Sequence, residues 1–161
     1  MSIQFRTTLV SADTARVRAL AAATSVFREA ELDIAAELVE EALARGEVAS
    51  GYHFVMADAL DGLAGYACYG PIAGTVGSFD LYWIVVDLAW QGRGLGRRLM
   101  GAVEAAVRCT GGRRLYIDTS TSAAYAPTRA FYTRCGYAIA AELPDFYSPG
   151  DGKVIFVRAL A

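Results

Sequence analysis

Gln91-Gly92-Arg93-Gly94-Leu95-Gly96 stands between an apolar run and an amphipathic one. A glycine-rich connection that opens a helix points several backbone N–H groups, and the positive end of the helix dipole, at one place. Glycines let the main chain approach an anion with no Cβ in between. The chemistry expected here is binding of a phosphate or pyrophosphate. Two common phosphate-binding patterns do not fit. Reading G-x-G-x-x-G from Gly92 puts Arg97 where the third glycine belongs, and a P-loop needs a lysine that does not follow. Elsewhere, His53 is the only histidine, so neither a Ser-His-Asp triad nor a multi-histidine metal site is available. Cys68, Cys109 and Cys135 are widely spaced, with no C-x-x-C pair. They suggest buried free thiols in a reducing compartment, and no metal is expected.

The elements that must hold this turn follow from periodicity. Phe79–Val86 (FDLYWIVV) is an almost unbroken run of β-branched and aromatic residues, which predicts a central strand buried on both faces. Leu95–Arg108 reads as a helix with Leu95, Leu99, Ala102, Val103 and Ala106 inward. Arg114–Thr119 is the next strand, so 79–119 forms a strand–helix–strand unit with parallel strands. Upstream, Ile3–Val10 reads as a strand, and a helix runs from Asp13, as N-cap, to about Val26. A second helix covers Glu29–Arg45 with a stripe of Leu32, Ala36, Val39 and Leu43, and Gly46 closes it. Tyr52–Ala57 and Gly65–Tyr69 form a hairpin turned at Asp61-Gly62, and Gly70–Gly77 is a loop. Downstream come a short helix over about Pro127–Cys135, closed by Gly136, and final strands Tyr137–Leu143 and Lys153–Ala159.

The order β-α-α-β-β-β-α-β-α-β-β predicts an α/β fold with a central mixed sheet and helices on both faces. The 161 residues are expected to form a single domain, with no linker or repeat dividing them. Fifteen basic and 17 acidic residues leave a net charge of -2, so no general field draws in nucleic acid or an anionic membrane. With no signal-like start and no long apolar stretch, a soluble cytoplasmic protein is expected.

The pattern Gln91-x-x-Gly94-x-Gly96, the FDLYWIVV strand before it, the helix after it and PTRAFYTRCGY at 127–137 together resemble the GCN5-related N-acetyltransferase (GNAT) superfamily. The resemblance covers nearly the whole length. It implies acetyl-CoA as cosubstrate and transfer of its acetyl group to a primary amine. A coenzyme A-thioester-binding regulatory module without turnover, or an enzyme using another acyl donor, are the alternatives. The turn that begins at Gln91 would hold the pyrophosphate on the amides of Gly92, Arg93, Gly94, Leu95, Gly96 and Arg97, and the main chain of Ile84, Val85 and Val86 would pair with the pantetheine arm. Arg98 and Arg134 are further cations near the phosphates or on a solvated face.

By the same resemblance, Tyr132 on the short helix would serve the departing thiolate. An ordinary tyrosine near pKa 10, against about 8.5 for a thiol, makes full proton transfer uphill by roughly 2 kcal/mol, which favours hydrogen-bond donation. Asp118 in LYIDTS occupies the place of an acidic base, with Asp80 as competitor and Glu29 and Glu31 as further possibilities. Some relatives carry an asparagine ahead of the tyrosine; Ser122–Thr128 has none. Tyr69-Gly70-Pro71 and Asp145-Phe146-Tyr147 would border the acceptor. The acceptor's identity stays open, and the resemblance admits a homodimer.

Overall fold

The computed structural model describes residues 2–160. Its strands are β1 (Gln4–Arg6), β2 (His53–Ala59), β3 (Gly62–Pro71), β4 (Ser78–Val86), β5 (Arg114–Ser120), β6 (Ala138–Ser148) and β7 (Asp151–Ala159). Its helices are α1 (Asp13–Ala23), α2 (Glu29–Arg45), the single turn α3 (Glu47–Ser50), α4 (Leu95–Cys109) and α5 (Ala126–Arg134). The strands make one mixed sheet in the order β1-β2-β3-β4-β5-β7-β6. The expected element order is therefore present, with α3 added. Among the described residues no helix is long and apolar enough to cross a membrane.

By backbone contacts the chain divides into two compact units, one of residues through Gly70 plus Trp83–Val103, the other of Pro71–Tyr82 plus Glu104 onward. In the first, β2 pairs antiparallel with β1 and β3, as the Asp61-Gly62 turn signal requires. Val17, Leu20, Ala35, Val39 and Ala42 from α1 and α2 pack with Phe54, Met56, Tyr66 and Val85 of the sheet. The α2 stripe differs from expectation only at its last residue. Leu32, Ala36 and Val39 are buried as expected, together with Ala35 and Ala42, while Leu43 is 40% exposed.

Asp13 is not the N-cap of α1 but its first residue. Its carboxylate accepts the Val10 amide at 2.8 Å and takes two hydrogen bonds from Arg6 at 2.7 Å. Drawing the chain back toward Asp13 ends β1 at Arg6, short of the expected Val10. Arg6 and Arg16 also reach Asp58 on β2, at 2.6 and 2.7 Å. Burial alone would raise both carboxyls, yet these guanidinium contacts hold Asp13 and Asp58 below the ordinary carboxylate range.

In the second unit, β5 pairs antiparallel with β7, and β7 with β6. The parallel ladder of β4 with β5 runs from Ser78–Arg114 to Leu81–Ile117. Buried Glu104 of α4 accepts from the Tyr137 hydroxyl at 3.0 Å and Arg158 at 2.9 Å, which answers the cost of burying its charge. Of the cysteines, Cys68 and Cys135 are buried as expected, but Cys109 at the end of α4 is exposed.

Candidate active site

At Val86 the fourth strand ends, and a short connection leads into the glycine turn at Gln91. The Asp87 carboxylate accepts the Ala89 amide at 2.8 Å and starts a single 3-10 turn over Leu88–Trp90. The Asp87 carbonyl then accepts from the amides of Trp90 and Gln91, at 2.8 and 3.1 Å. Gln91 Nε2 donates to the Val86 carbonyl at 3.1 Å, tying the turn to the strand. Gly92 and Gly94 take φ of 72° and 81°, the left-handed region that other residues enter at a cost. A Cβ built on either would meet nothing within 4 Å, so the space before the turn is open to an incoming group.

The helix that follows is fixed by its apolar side. Leu95, Leu99, Met100 and Val103 are buried, while Arg93, Arg97 and Arg98 are exposed. Gly65 of β3 permits the fit: a Cβ there would sit 2.9 Å from the Val85 carbonyl oxygen and 3.1 Å from Leu99 Cδ1. The amides of Leu95 and Gly96, in the first helical turn, precede any i−4 partner within the helix. The Leu95 side chain is 2% exposed and belongs to the core. The guanidinium of Arg93 lies 5.7 Å from the Trp90 ring, and that of Arg98 stacks 4.9 Å above Phe5. Open glycines, first-turn amides and an exposed Arg93 fit the pyrophosphate of a coenzyme A thioester.

The preceding strand differs from its expected double burial. Only Leu81 and Val85 are buried, and Tyr82 is 39% exposed. The Asp87 amide donates to Ala64 of β3 at 2.9 Å. Alternation then turns the polar groups of Val86 to the opposite edge, beyond the last β4–β5 pair at Leu81.

In the second unit, α5 starts with Pro127 in its first turn, and Arg129 donates to the Ser120 and Ser122 carbonyls at 2.7 and 2.9 Å. Tyr132 on this helix is 5% exposed, with the Phe156 and Phe131 rings 5.5 Å away and Tyr137 at 6.4 Å. Burial, with smaller effects of Cys135 and Tyr125, pushes its phenol above the ordinary tyrosine value. Asp118 is half-exposed and accepts from Lys153 Nζ at 2.7 Å. Asp80 has its carboxyl raised by burial and by Asp118, against a lowering effect of Lys153. Asp80, Asp118 and Lys153 thus form one electrostatic group. His53 stacks on Tyr69 with ring centroids 5.4 Å apart, and its Nδ1 lies 3.3 Å from Glu47, in keeping with a structural role.

Compared with known families, residues 17–137 match the model of the Acetyltransferase (GNAT) family. The chain belongs to that family. It is 38% identical over 113 residues, 63% of this chain and 77% of the relative, to a blasticidin-S acetyltransferase of Streptomyces morookaense. A crystal structure of a GNAT-family protein from Desulfovibrio desulfuricans superposes with a TM-score of 0.97 at 46% identity, over 99% of this chain and 100% of that one. An aminoglycoside 6'-N-acetyltransferase complexed with coenzyme A shares the fold, at a TM-score of 0.77 and 19% identity over 100% and 98% of the two chains.

In this GNAT acetyltransferase, the structure places the glycine turn between β4 and α4, Tyr132 on α5, and Asp80 and Asp118 on β4 and β5. The Gln91 side-chain amide is engaged by the Val86 carbonyl. Lys153 was missed as a neighbour of Asp118. The one signal for it was its being the single lysine in the chain.

Proposed function

We propose that residues 1–161 act as one cytoplasmic N-acetyltransferase domain, alone or as a homodimer, which moves the acetyl group of acetyl-CoA to a primary amine. The observation that carries this reading is the open Gly92–Gly94 turn at the start of α4. In it, the amides of Gly92–Arg97 hold the pyrophosphate, with Arg93 and Arg97 beside it, and the main chain of Ile84–Val86 pairs with the pantetheine arm. Bound acetyl-CoA supplies an activated thioester. Tyr132, its phenol kept neutral by burial, donates a hydrogen bond where negative charge gathers on the leaving sulfur.

The proton of the acceptor amine goes to a carboxylate of the Asp80–Asp118 group. Asp118 was the first choice from the sequence. The Asp118 carboxylate is already engaged by Lys153, whereas burial and the neighbouring Asp118 raise the Asp80 carboxyl and make Asp80 the readier proton acceptor. The name of the 38% relative puts blasticidin S on the acceptor panel, beside aminoglycosides, polyamines, amino acids and peptides. The experiment is continuous measurement of thiol release from acetyl-CoA with that panel. Acceptor-dependent release is expected. Tight coenzyme A binding without release for any amine would refute turnover, and faster release from a longer acyl donor would refute acetyl as the transferred group.

A further inference from the structure

Lys153, the single lysine of the chain, is held in a way that an ordinary surface cation is not. It lies on β7 opposite Ser120 of β5 and Leu143 of β6. Its Nζ donates to Asp118 Oδ2 at 2.7 Å, and sits 3.9 Å from the centroid of the Phe146 ring and 5.9 Å from that of Tyr147. Only 17% of its side chain is exposed, against 45% for Asp118. The β6–β7 hairpin is bent to make this arrangement. Its register shifts between Leu143 and Ser148, and Asp145 takes φ 53° while accepting the Gly150 amide at 2.7 Å. That excursion brings Phe146 and Tyr147 against the lysine, while both rings stay about half exposed.

A carboxylate on one side and an aromatic face on the other is how proteins seat an ammonium group. Here the chain fills the seat with its own side chain. Two more carboxyls bear on the place: Asp80, whose acidity responds to both Asp118 and Lys153, and Asp151, which with Asp118 acts on the Tyr147 phenol. A second cation arriving there meets the like charge of Lys153 in the position of closest attraction.

We propose that Lys153 determines the charge class of the acceptor: its ammonium takes the seat that a second ammonium of the acceptor would need, so monoamines are favoured over diamines and polyamines. This rests on the reading above, in which Asp80 and Asp118 face the acceptor. Removing the lysine while keeping Asp118 and Phe146 leaves a ready-made ammonium site. Replacing it with arginine keeps the seat filled by a cation.

The test is calorimetric binding of n-propylamine and 1,3-diaminopropane to the wild-type protein, Lys153→Ala and Lys153→Arg. The wild type and Lys153→Arg are expected to bind the diamine no tighter than the monoamine. Lys153→Ala is expected to prefer the diamine by about tenfold or more, the order of a partly desolvated cation–ring contact. Adding Phe146→Ala to Lys153→Ala removes that preference. An unchanged ratio in Lys153→Ala, a diamine preference already present in the wild type, or no binding of either amine to any variant overturns the proposal. Both ligands are measured on one protein, so a general loss of folded material cancels from the ratio. The measurement needs no turnover: diamine selectivity gained in Lys153→Ala, with no thiol release for any amine, would sink the acetyl-transfer reading alone.

Discussion

Gly94→Ala separates the two things asked of the glycine turn. At φ 81° an alanine carries the left-handed penalty, about 1–2 kcal/mol. No heavy atom lies within 4 Å of the added Cβ, so strain and not collision sets the loss of stability. For a chain of this length that is a fall in Tm of about 2–8 °C. Gly74 provides the matched control, with φ 76° and equally open surroundings, but in the loop between β3 and β4. Gly74→Ala should therefore cost about the same in Tm. The two variants should part on coenzyme A. In Gly94→Ala the methyl group stands where the pyrophosphate must approach, and losing one charge-assisted amide contact is worth about 1.5–3 kcal/mol. Its Kd should rise about 10–100-fold, while Gly74→Ala leaves Kd unchanged. Titration calorimetry with coenzyme A and a thermal melt of each variant suffice. Equal Kd values for the two variants would refute the assignment of the turn.

Tyr132→Phe should lower kcat by about 10–1000-fold with little change in coenzyme A affinity, because only the hydrogen bond to the developing thiolate is lost; a steady-state assay with unchanged kcat would remove Tyr132 from the mechanism. Gly65→Ala forces a Cβ to 2.9 Å from the Val85 oxygen. It should cost about 1–3 kcal/mol in urea unfolding and also weaken coenzyme A binding, since strand end and helix shift together. Asp13 and Asp58 have depressed folded-state values, so their stabilisation is full above the unfolded carboxyl pKa and is lost as pH falls through the folded value. Wild-type Tm should drop on acidification below about pH 4, and Asp13→Asn, less stable at pH 7 by about 2–3 kcal/mol, should show a shallower decline. A parallel decline in the two proteins would contradict the role given to the Arg6 contacts.

Much of the architecture could be read from residue pattern, because burial imposes a period. Glu29–Arg45 matches its helix to the residue, and the Asp61-Gly62 turn announces the β2–β3 hairpin. Where the reading failed, the missing information was tertiary. FDLYWIVV is apolar except for Asp80, yet a half-exposed side chain and one facing the core carry the same letter, and only Leu81 and Val85 are buried. Asp13 has the composition of an N-cap, but two arginines distant in sequence or on the next turn turned it inward. The site divides in the same way. Gly92 and Gly94 were legible because positive φ selects glycine, which is a local rule. The partner of Asp118 was not, because Lys153 lies 35 residues away and is brought in by strand register.

The bond from Gln91 to the Val86 carbonyl has a further consequence. It joins the last residue of a strand to the first of the turn. The two segments assigned to the cosubstrate, one for the arm and one for the pyrophosphate, are thereby held at a fixed separation. Their ordering entropy is met during folding and is not subtracted from the free energy of binding. On the proposed reading of the turn, Gln91 would act by preorganisation, its engaged amide tightening the hold on a molecule it need not touch.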